Sequence, residues 1–232
     1  MDETVEELAL RILAFDRLDS TQDELRRRLE AGEAVHGLVV RARVQESGRG
    51  SRARDWASAA GGSYQTLAVR YLAPHPPSYA ALVLALGLAQ TLPRYGARVQ
   101  IKWPNDLFYR RQKLAGLLVE ALRGHLLIGV GLNVDNPVPP GAVGLRGWDL
   151  EAVHAVVLEG LQRGLEHLND AHFDLPSAFA PFDLLAGGRV CVSTPRGEVT
   201  GVADGVDAHG RLRVRDAYGR LHALQGRVRP LP

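Results

Sequence analysis

Apolar positions along the chain follow two rhythms, one near the 3.6-residue turn of a helix and one with the two-residue period of a strand. Val5, Leu8, Ala9 and Ile12 recur at helical spacing and predict a helix over 3–14. Asp19-Ser20-Thr21 offers N-cap oxygens to a short helix over 22–29, which Gly32 closes. The β-branched run over 37–44 predicts a strand, and the segment 45–62 that follows has no apolar period at all. A strand near 64–72 precedes Pro74, Pro76 and Pro77, then a long apolar helix over 78–92 of the kind buried in a core. Three more strands fit 99–103, 114–122 and 126–134, with turns at Asn105-Asp106 and Arg123-Gly124. Leu150, Val153, Val156, Val157, Leu161 and Leu165 form one stripe of a helix over 149–170.

Beyond Ala186-Gly187-Gly188 the texture changes. Residues 189–229 alternate and turn every few positions, at Arg196-Gly197, Asp207-Ala208-His209-Gly210 and Ala217-Tyr218-Gly219, which predicts a small five-stranded barrel. The expected organisation is therefore α+β, with one unit over 1–186 and a second over 187–232.

Composition narrows the functional classes. With 46% hydrophobic and 23% charged residues, the 232-residue chain is expected to bury a sizeable core. Its 28 basic residues nearly balance 26 acidic ones, so binding nucleic acid by bulk charge is disfavoured. Arginine far outnumbers lysine, and Lys102 and Lys113 are among very few lysines. The single cysteine, Cys191, excludes an intramolecular disulfide and a cysteine-rich metal site. The first residues are acidic where a secretory signal would be basic. No apolar run approaches the roughly 18 residues of a membrane span. A cytoplasmic protein with no membrane partner is expected.

The candidate chemistry lies in two segments. In Gly48-Arg49-Gly50-Ser51-Arg52-Ala53-Arg54-Asp55-Trp56, glycines let the backbone approach an anion and three arginines supply charge-assisted hydrogen bonds. Trp56 adds a flat apolar surface. The segment lacks the Lys-Ser/Thr of a phosphate loop and the third glycine of a dinucleotide fingerprint; a solvated basic loop is the alternative. In the second segment Pro104 ends a strand, Asn105-Asp106 turns the chain and Lys113 opens the next strand. Lys102, Lys113 and Asp106 then surround one hairpin mouth, suited to a polyanion and its metal, or they form an ordinary polar tip. The glycines of Gly129-Val130-Gly131-Leu132-Asn133 leave one strand face bare, for a ligand or for a packed helix.

Together these segments resemble the biotin protein ligases. The family pattern Gly-Arg-Gly-Arg-x-Gly-Arg-x-Trp is similar to 48–56, and Lys-Trp-Pro-Asn-Asp matches 102–106 residue for residue. Lys-Leu-Ala-Gly-x-Leu-x-Glu matches 113–120, Gly-x-Gly-x-Asn matches 129–133, and Asp19-Ser20-Thr21-Gln22 echoes Asp-Ser-Thr-Asn. The resemblance covers nearly the whole chain. It implies a mixed sheet with helices packed on it, like that of class II aminoacyl-tRNA synthetases, followed by an SH3-like barrel. It also implies the monofunctional kind, without a DNA-binding helix-turn-helix.

Roles follow from the resemblance, position by position. Ser20, Thr21, Gln22 and Gln45 are expected to hydrogen-bond the biotin rings. Arg49, Gly50 and Ser51 are expected to close over the acid and its adenylate, Tyr64 to line the pocket, and Gly116 to let biotin lie against the backbone. Lys113 is expected to reach the biotin carboxylate and the α-phosphate, sharing the catalytic charge with Arg49. Arg52, Arg54, Trp56, Lys102, Asn105, Asp106, Gly131 and Asn133 are assigned to ATP and the adenylate. No metal is held by the protein alone; Mg²⁺ arrives on the phosphates, with Asp106 a possible ligand. The implied partners are biotin, ATP and a biotin carboxyl carrier domain with its acceptor lysine, around a monomer or homodimer.

Two departures stand out: Ser51 replaces a usual arginine, and Ala53 a usual glycine. The C-terminal Gly226-Arg227-Val228-Arg229-Pro230 also differs from the family's ending, so no ATP contact is assigned to it. The competing functions are a lipoate–protein ligase, a non-enzymatic biotin-responsive regulator, and a peptide-binding scaffold built on the terminal barrel.

Overall fold

A computed structural model describes residues 8–51, 54–71 and 75–231. The strands β1 (Arg11–Leu18), β2 (Leu38–Gln45), β3 (Ser63–Arg70), β4 (Val99–Lys102), β5 (Asp106–Tyr109), β6 (Gln112–Leu122) and β7 (His125–Leu132) form one sheet. Their order is β1-β2-β3-β7-β6-β5-β4, with β1 parallel to β2 and every other pair antiparallel. The sheet is mixed, as the resemblance implies.

Of the helix predicted over 3–14, residues 11–14 instead open the strand Arg11–Leu18, residues 8–10 have no regular structure and residues 3–7 lie outside the described residues. Long-range pairing decides the outcome: Arg11 aligns with Leu38 and Leu18 with Gln45, while Leu13, Phe15 and Leu18 pack toward Leu25 and Leu29. The short strand β5 was not expected either. It separates β4 from β6, so Lys102 and Lys113 do not share one hairpin; Asp106, opposite Lys102 and Gly116, sits between them.

Each face of the sheet is covered differently. The helices α1 (Thr21–Glu30), α2 (Pro77–Thr91), α3 (Leu150–Asn169) and α4 (Leu175–Phe179) follow in chain order. Ser20 caps α1, its hydroxyl accepting the Asp23 amide hydrogen at 3.4 Å. Leu25 and Leu29 bury themselves against Val40, Ala68 and Leu127 on one face of the sheet. On the other face α2 is apolar all round, as a helix enclosed on every side must be. It crosses α3 where Gly87 meets Gly160 and Gly164, and a Cβ at residue 87 would lie 2.3 Å from the Gly160 carbonyl oxygen. Among the described residues no helix is long and apolar enough to cross a membrane.

The strands β8 (Arg189–Thr194), β9 (Gly197–Val206), β10 (Leu212–Arg215), β11 (Leu221–Leu224) and β12 (Arg227–Pro230) form a second, antiparallel sheet. Its order is β11-β10-β9-β8-β12, and among the described residues no pairing closes β11 onto β12. Val190, Val192, Ala203, Val206, Leu212 and Val214 belong to the same buried cluster as α2 and α3. The Trp103 indole, next to a cis peptide at Pro104, is buried and donates a hydrogen bond to the Gly210 carbonyl at 2.9 Å. The second sheet is thus packed into the first unit's core and tied directly to the segment 102–106.

Candidate active site

The period of two selects which residues of the central strands face α1. On β6 these are Gly116, Leu118 and Glu120, and on β7 Leu127, Gly129 and Gly131; Gly116 lies opposite Gly131, and Glu120 opposite Leu127. Three glycines on adjacent strands leave the sheet bare there. Above this floor is an open cavity, bounded by the start of α1, residues of the segment 49–56 and the β4–β5 turn at Asn105 and Asp106.

Most of the candidate residues line this single cavity: Ser20, Thr21, Gln22, Gln45, Arg49, Gly50, Ser51, Arg54, Trp56, Asn105, Asp106, Lys113, Gly116 and Gly131. The arginine-rich segment and Lys113, distant in sequence, therefore face one space. Lys113 Nζ is 2.7 Å from Asp106 Oδ1 and 5.0 Å from the centre of the Trp56 ring. The Trp56 indole lies on the glycine floor: a Cβ at Gly131 would stand 2.5 Å from its Nε1. That Nε1 is buried without a hydrogen-bond partner.

Residues 48–50 and 54–56 pair as the two arms of a small hairpin. Gly50 N donates to Arg54 O and Trp56 N to Gly48 O, each at 2.7 Å. These two amides are committed to the hairpin and do not form the open anion cradle that the glycines suggested. Arg54 folds back, its guanidinium meeting Ser51 Oγ at 3.2 Å. Arg49 is ion-paired with Asp23 at 2.6 Å and Glu120 at 3.6 Å, so its charge is already met by two carboxylates.

The polar end of the cavity is a chain of hydrogen bonds. Gln45 Oε1 accepts from both the amide and the hydroxyl of Thr21, at 2.8 and 3.0 Å, and its Nε2 donates to Ser58. Thr66 Oγ1 donates to Thr21 Oγ1 at 2.8 Å. Gln22 Nε2 donates to Glu120 Oε2 at 2.8 Å and to Leu127 O at 3.2 Å.

Three candidates do not line the cavity. Tyr64 is buried behind it and donates its hydroxyl to Ala59 O at 2.7 Å; its packing against Gly62 leaves no surface for a ligand. Asn133 is buried, with its side-chain oxygen accepting from Asn136. Lys102 faces an adjoining space shared with Ser51, Arg54, Asn105, Asp106, Arg227 and Arg229. Burial pushes the Lys102 ammonium below its usual pKa; Asp106 opposes this, and Lys113, Arg54 and Arg227 add to it. Arg52 lies outside the described residues. Conversely, Thr66 and Asp55 line the cavity, and Glu120 joins its polar network, without having been assigned a role; Gly129, expected to leave its strand face bare, lines the cavity as well. Glu120 was legible as the polar residue closing the pattern 113–120, whereas Thr66 carried no signal beyond polarity within a buried strand.

A glycine-floored cavity with hydrogen-bonding groups at one end and lysine and arginine at the other, on a mixed sheet, defines a protein that takes a small organic anion. Comparison with known sequences makes this specific: the model of the "Biotin/lipoate A/B protein ligase family" matches residues 14–135, and the chain belongs to that family. It is 32% identical over 217 residues to a biotin–[acetyl-CoA-carboxylase] ligase of Mycobacterium tuberculosis, covering 87% of this chain and 81% of that protein. A ligase of the same description from Paracoccus denitrificans is 32% identical over 231 residues, covering 88% and 94%. The fold is shared with a biotin protein ligase of Aquifex aeolicus solved with biotin and ATP, at a TM-score of 0.82 and 24% identity over 95% of this chain and 99% of that one.

Proposed function

We propose that this protein is an ATP-dependent biotin–protein ligase, which forms biotinyl-5'-AMP and passes the biotinyl group to a lysine of a carrier domain. The observation that carries the reading is the convergence of Lys113, Trp56 and the 48–54 segment on one glycine-floored cavity, in a chain that belongs to the ligase family.

In the first step a biotin carboxylate oxygen attacks the α-phosphorus of ATP. The new O–P bond forms as the bond to pyrophosphate breaks. Both reactants are anions, so charge on the phosphoryl oxygens must be neutralised. Lys113 is the residue we assign to that task, since it needs only to exchange Asp106 for the substrate. Arg49, held by Asp23 and Glu120, is assigned instead to fixing the 48–56 hairpin over the acid. Ser20, Thr21, Gln22 and Gln45 are assigned to the biotin rings, Gly116 and Gly131 to close backbone approach, and Trp56, Arg54, Asn105, Asp106 and Lys102 to the nucleotide. Among the described residues no group of three or more His, Cys, Asp or Glu is placed to hold a metal ion; magnesium enters as part of the nucleotide substrate, where it screens the phosphates. In the second step the carrier's lysine amine attacks the acyl carbon, AMP leaves and the amine gives up a proton. The protein's task then is to position the anhydride and exclude water. We assign residues 1–186 to the catalytic unit and 187–232 to an SH3-like module, a reading supported by the short antiparallel strands of the second sheet.

The test is to mix the protein with ATP, Mg²⁺, biotin and a biotin carboxyl carrier domain, then follow pyrophosphate and probe the carrier with streptavidin. A biotin-dependent release of pyrophosphate and a labelled carrier are expected. Release with lipoic acid in place of biotin would favour the lipoate ligase, and no release with either acid would favour a binding protein.

A further inference from the structure

The arginines are neutralised on one part of the molecule and left unneutralised on another. Arg26, Arg27, Arg28, Arg41, Arg43 and Arg49 each meet a carboxylate. Beside the second sheet the pattern reverses. Arg110 and Arg111, at the turn between β5 and β6, and Arg189, at the start of β8, are exposed. Among the described residues none of the three, nor Lys102 nearby, has an ion-pair partner. Lys102 and Arg110 lie over the rings of Phe108 and Tyr109, which leaves their charges unneutralised. The carboxylate opposite Lys102, Asp106, is paired with Lys113.

The turn does not call for arginine. Arg110 and Arg111 connect Tyr109 to Gln112 with φ of 50° and 62°. Asn-Gly adopts such a hairpin turn readily, whereas a residue with a bulky side chain does so under strain. Their charge is left as the reason for two arginines at this tip. Arg111 and Arg189 border a hollow lined by Phe108, Leu184, Leu185 and Leu231, and Lys102 lines it too. Lys102 also lines the adjoining space that shares Asn105 and Asp106 with the main cavity. The hollow thus leads, by way of Lys102, to the mouth where the acyl group is handed on.

We propose that this hollow with its basic rim docks the carrier domain, through an acidic surface from which one apolar side chain enters between Arg111 and Arg189. The proposal rests on the ligase reading, since it is the second step that brings a folded partner to this mouth. A polyphosphate or a nucleic-acid backbone would use the cations and leave the apolar hollow uncovered; an acidic protein uses both. Charges at the rim of an interface act mainly on the rate of encounter, and salt screens them.

The experiment follows the two half-reactions of the full-length protein separately at low salt, with an acidic biotin carboxyl carrier domain as acceptor. Arg110→Asn combined with Arg111→Gly supplies the residues that the turn favours and removes both charges. This double variant is expected to melt no lower than the wild type, yet to raise the KM for the carrier at least about fivefold. Its single-turnover adenylation should stay within about twofold of the wild type, since rim charges act on the partner alone. Arg189→Glu is expected to raise the carrier KM likewise, whereas Arg196→Glu, beyond the other end of β8, is not. Raising NaCl from about 50 to about 500 mM should erase most of the difference between the wild type and the double variant.

A carrier KM unchanged in both the double variant and Arg189→Glu would overturn the proposal, and so would a wild-type carrier KM indifferent to salt. A raised KM for ATP beside an unchanged carrier KM would give the rim to nucleotide phosphates instead. Retention of a duplex oligonucleotide that the variants lose, with the carrier KM again unchanged, would give it to nucleic acid. A wild type that releases no pyrophosphate with biotin would remove the ligase reading as well, which separates the two failures.

Discussion

The Trp103 indole N–H and the Gly210 carbonyl, 107 residues apart, meet at 2.9 Å in a buried hydrogen bond. It joins the segment carrying Lys102, Asn105 and Asp106 to the β9–β10 turn of the second sheet. Trp103→Phe keeps most of the apolar volume but leaves the Gly210 oxygen unpaired, a cost of about 1–3 kcal/mol. A lower urea midpoint with an unchanged slope is expected. An unchanged midpoint would mean that this bond contributes nothing net.

Lys113→Ala removes the one ammonium that faces both Asp106 and Trp56. Single-turnover adenylation should slow by roughly two orders of magnitude, the scale of one lost oxyanion-type donor. A change below about threefold, on the scale set by the same comparison, would remove Lys113 from its assigned role.

Ser51 stands where the family pattern that the sequence resembles has arginine, and Arg54 lies against it. Fewer cations fixed at this point predict a shorter-lived complex with a negatively charged adenylate. Ser51→Arg is expected to slow the dissociation of biotinyl-AMP, and Arg54→Ala to hasten it, both followed by trapping the released adenylate. Identical rates in wild type and Ser51→Arg would dispose of the idea.

Beneath the sheet, His154 is buried with Nδ1 2.8 Å from Ser63 Oγ. Burial, and to a lesser extent Arg41, pushes its pKa from 6.5 down to about 4. The folded state thus binds this proton less readily than the unfolded chain, so stability falls as pH drops below 6.5 and goes on falling until about 4. Urea midpoints at pH 7 and pH 4.5 should differ by less in His154→Gln than in the wild type.

The elements most legible in the sequence were those whose own period sufficed. The stripe of α3 and the enclosed apolar run of α2 both lie where the pattern places them. Residues 11–14 were misread because Leu8, Ala9 and Ile12 fit a helical period, while the strand that pairs with Arg11 begins 27 residues away at Leu38. The four residues of β5 and the five of α4 are too short to display a period of their own. At the cavity, residue types and spacing pointed to Lys113, Gln45 and Gly116, all of which line it. Spacing says nothing of partners, however. That Arg49 is already neutralised, that Gln45 is held by Thr21 and Ser58, and that Tyr64 turns away all depend on contacts across the fold.

The only two lysines of the chain, Lys102 and Lys113, both sit beside Asp106, one in each of two adjoining cavities. A mixed anhydride that escapes into solution finds no other side-chain amine on the protein that made it. Acylation of its own lysines is thereby confined to the mouth of the cavity, and any lysine that an amine-directed tag reaches lies at the working end of the molecule.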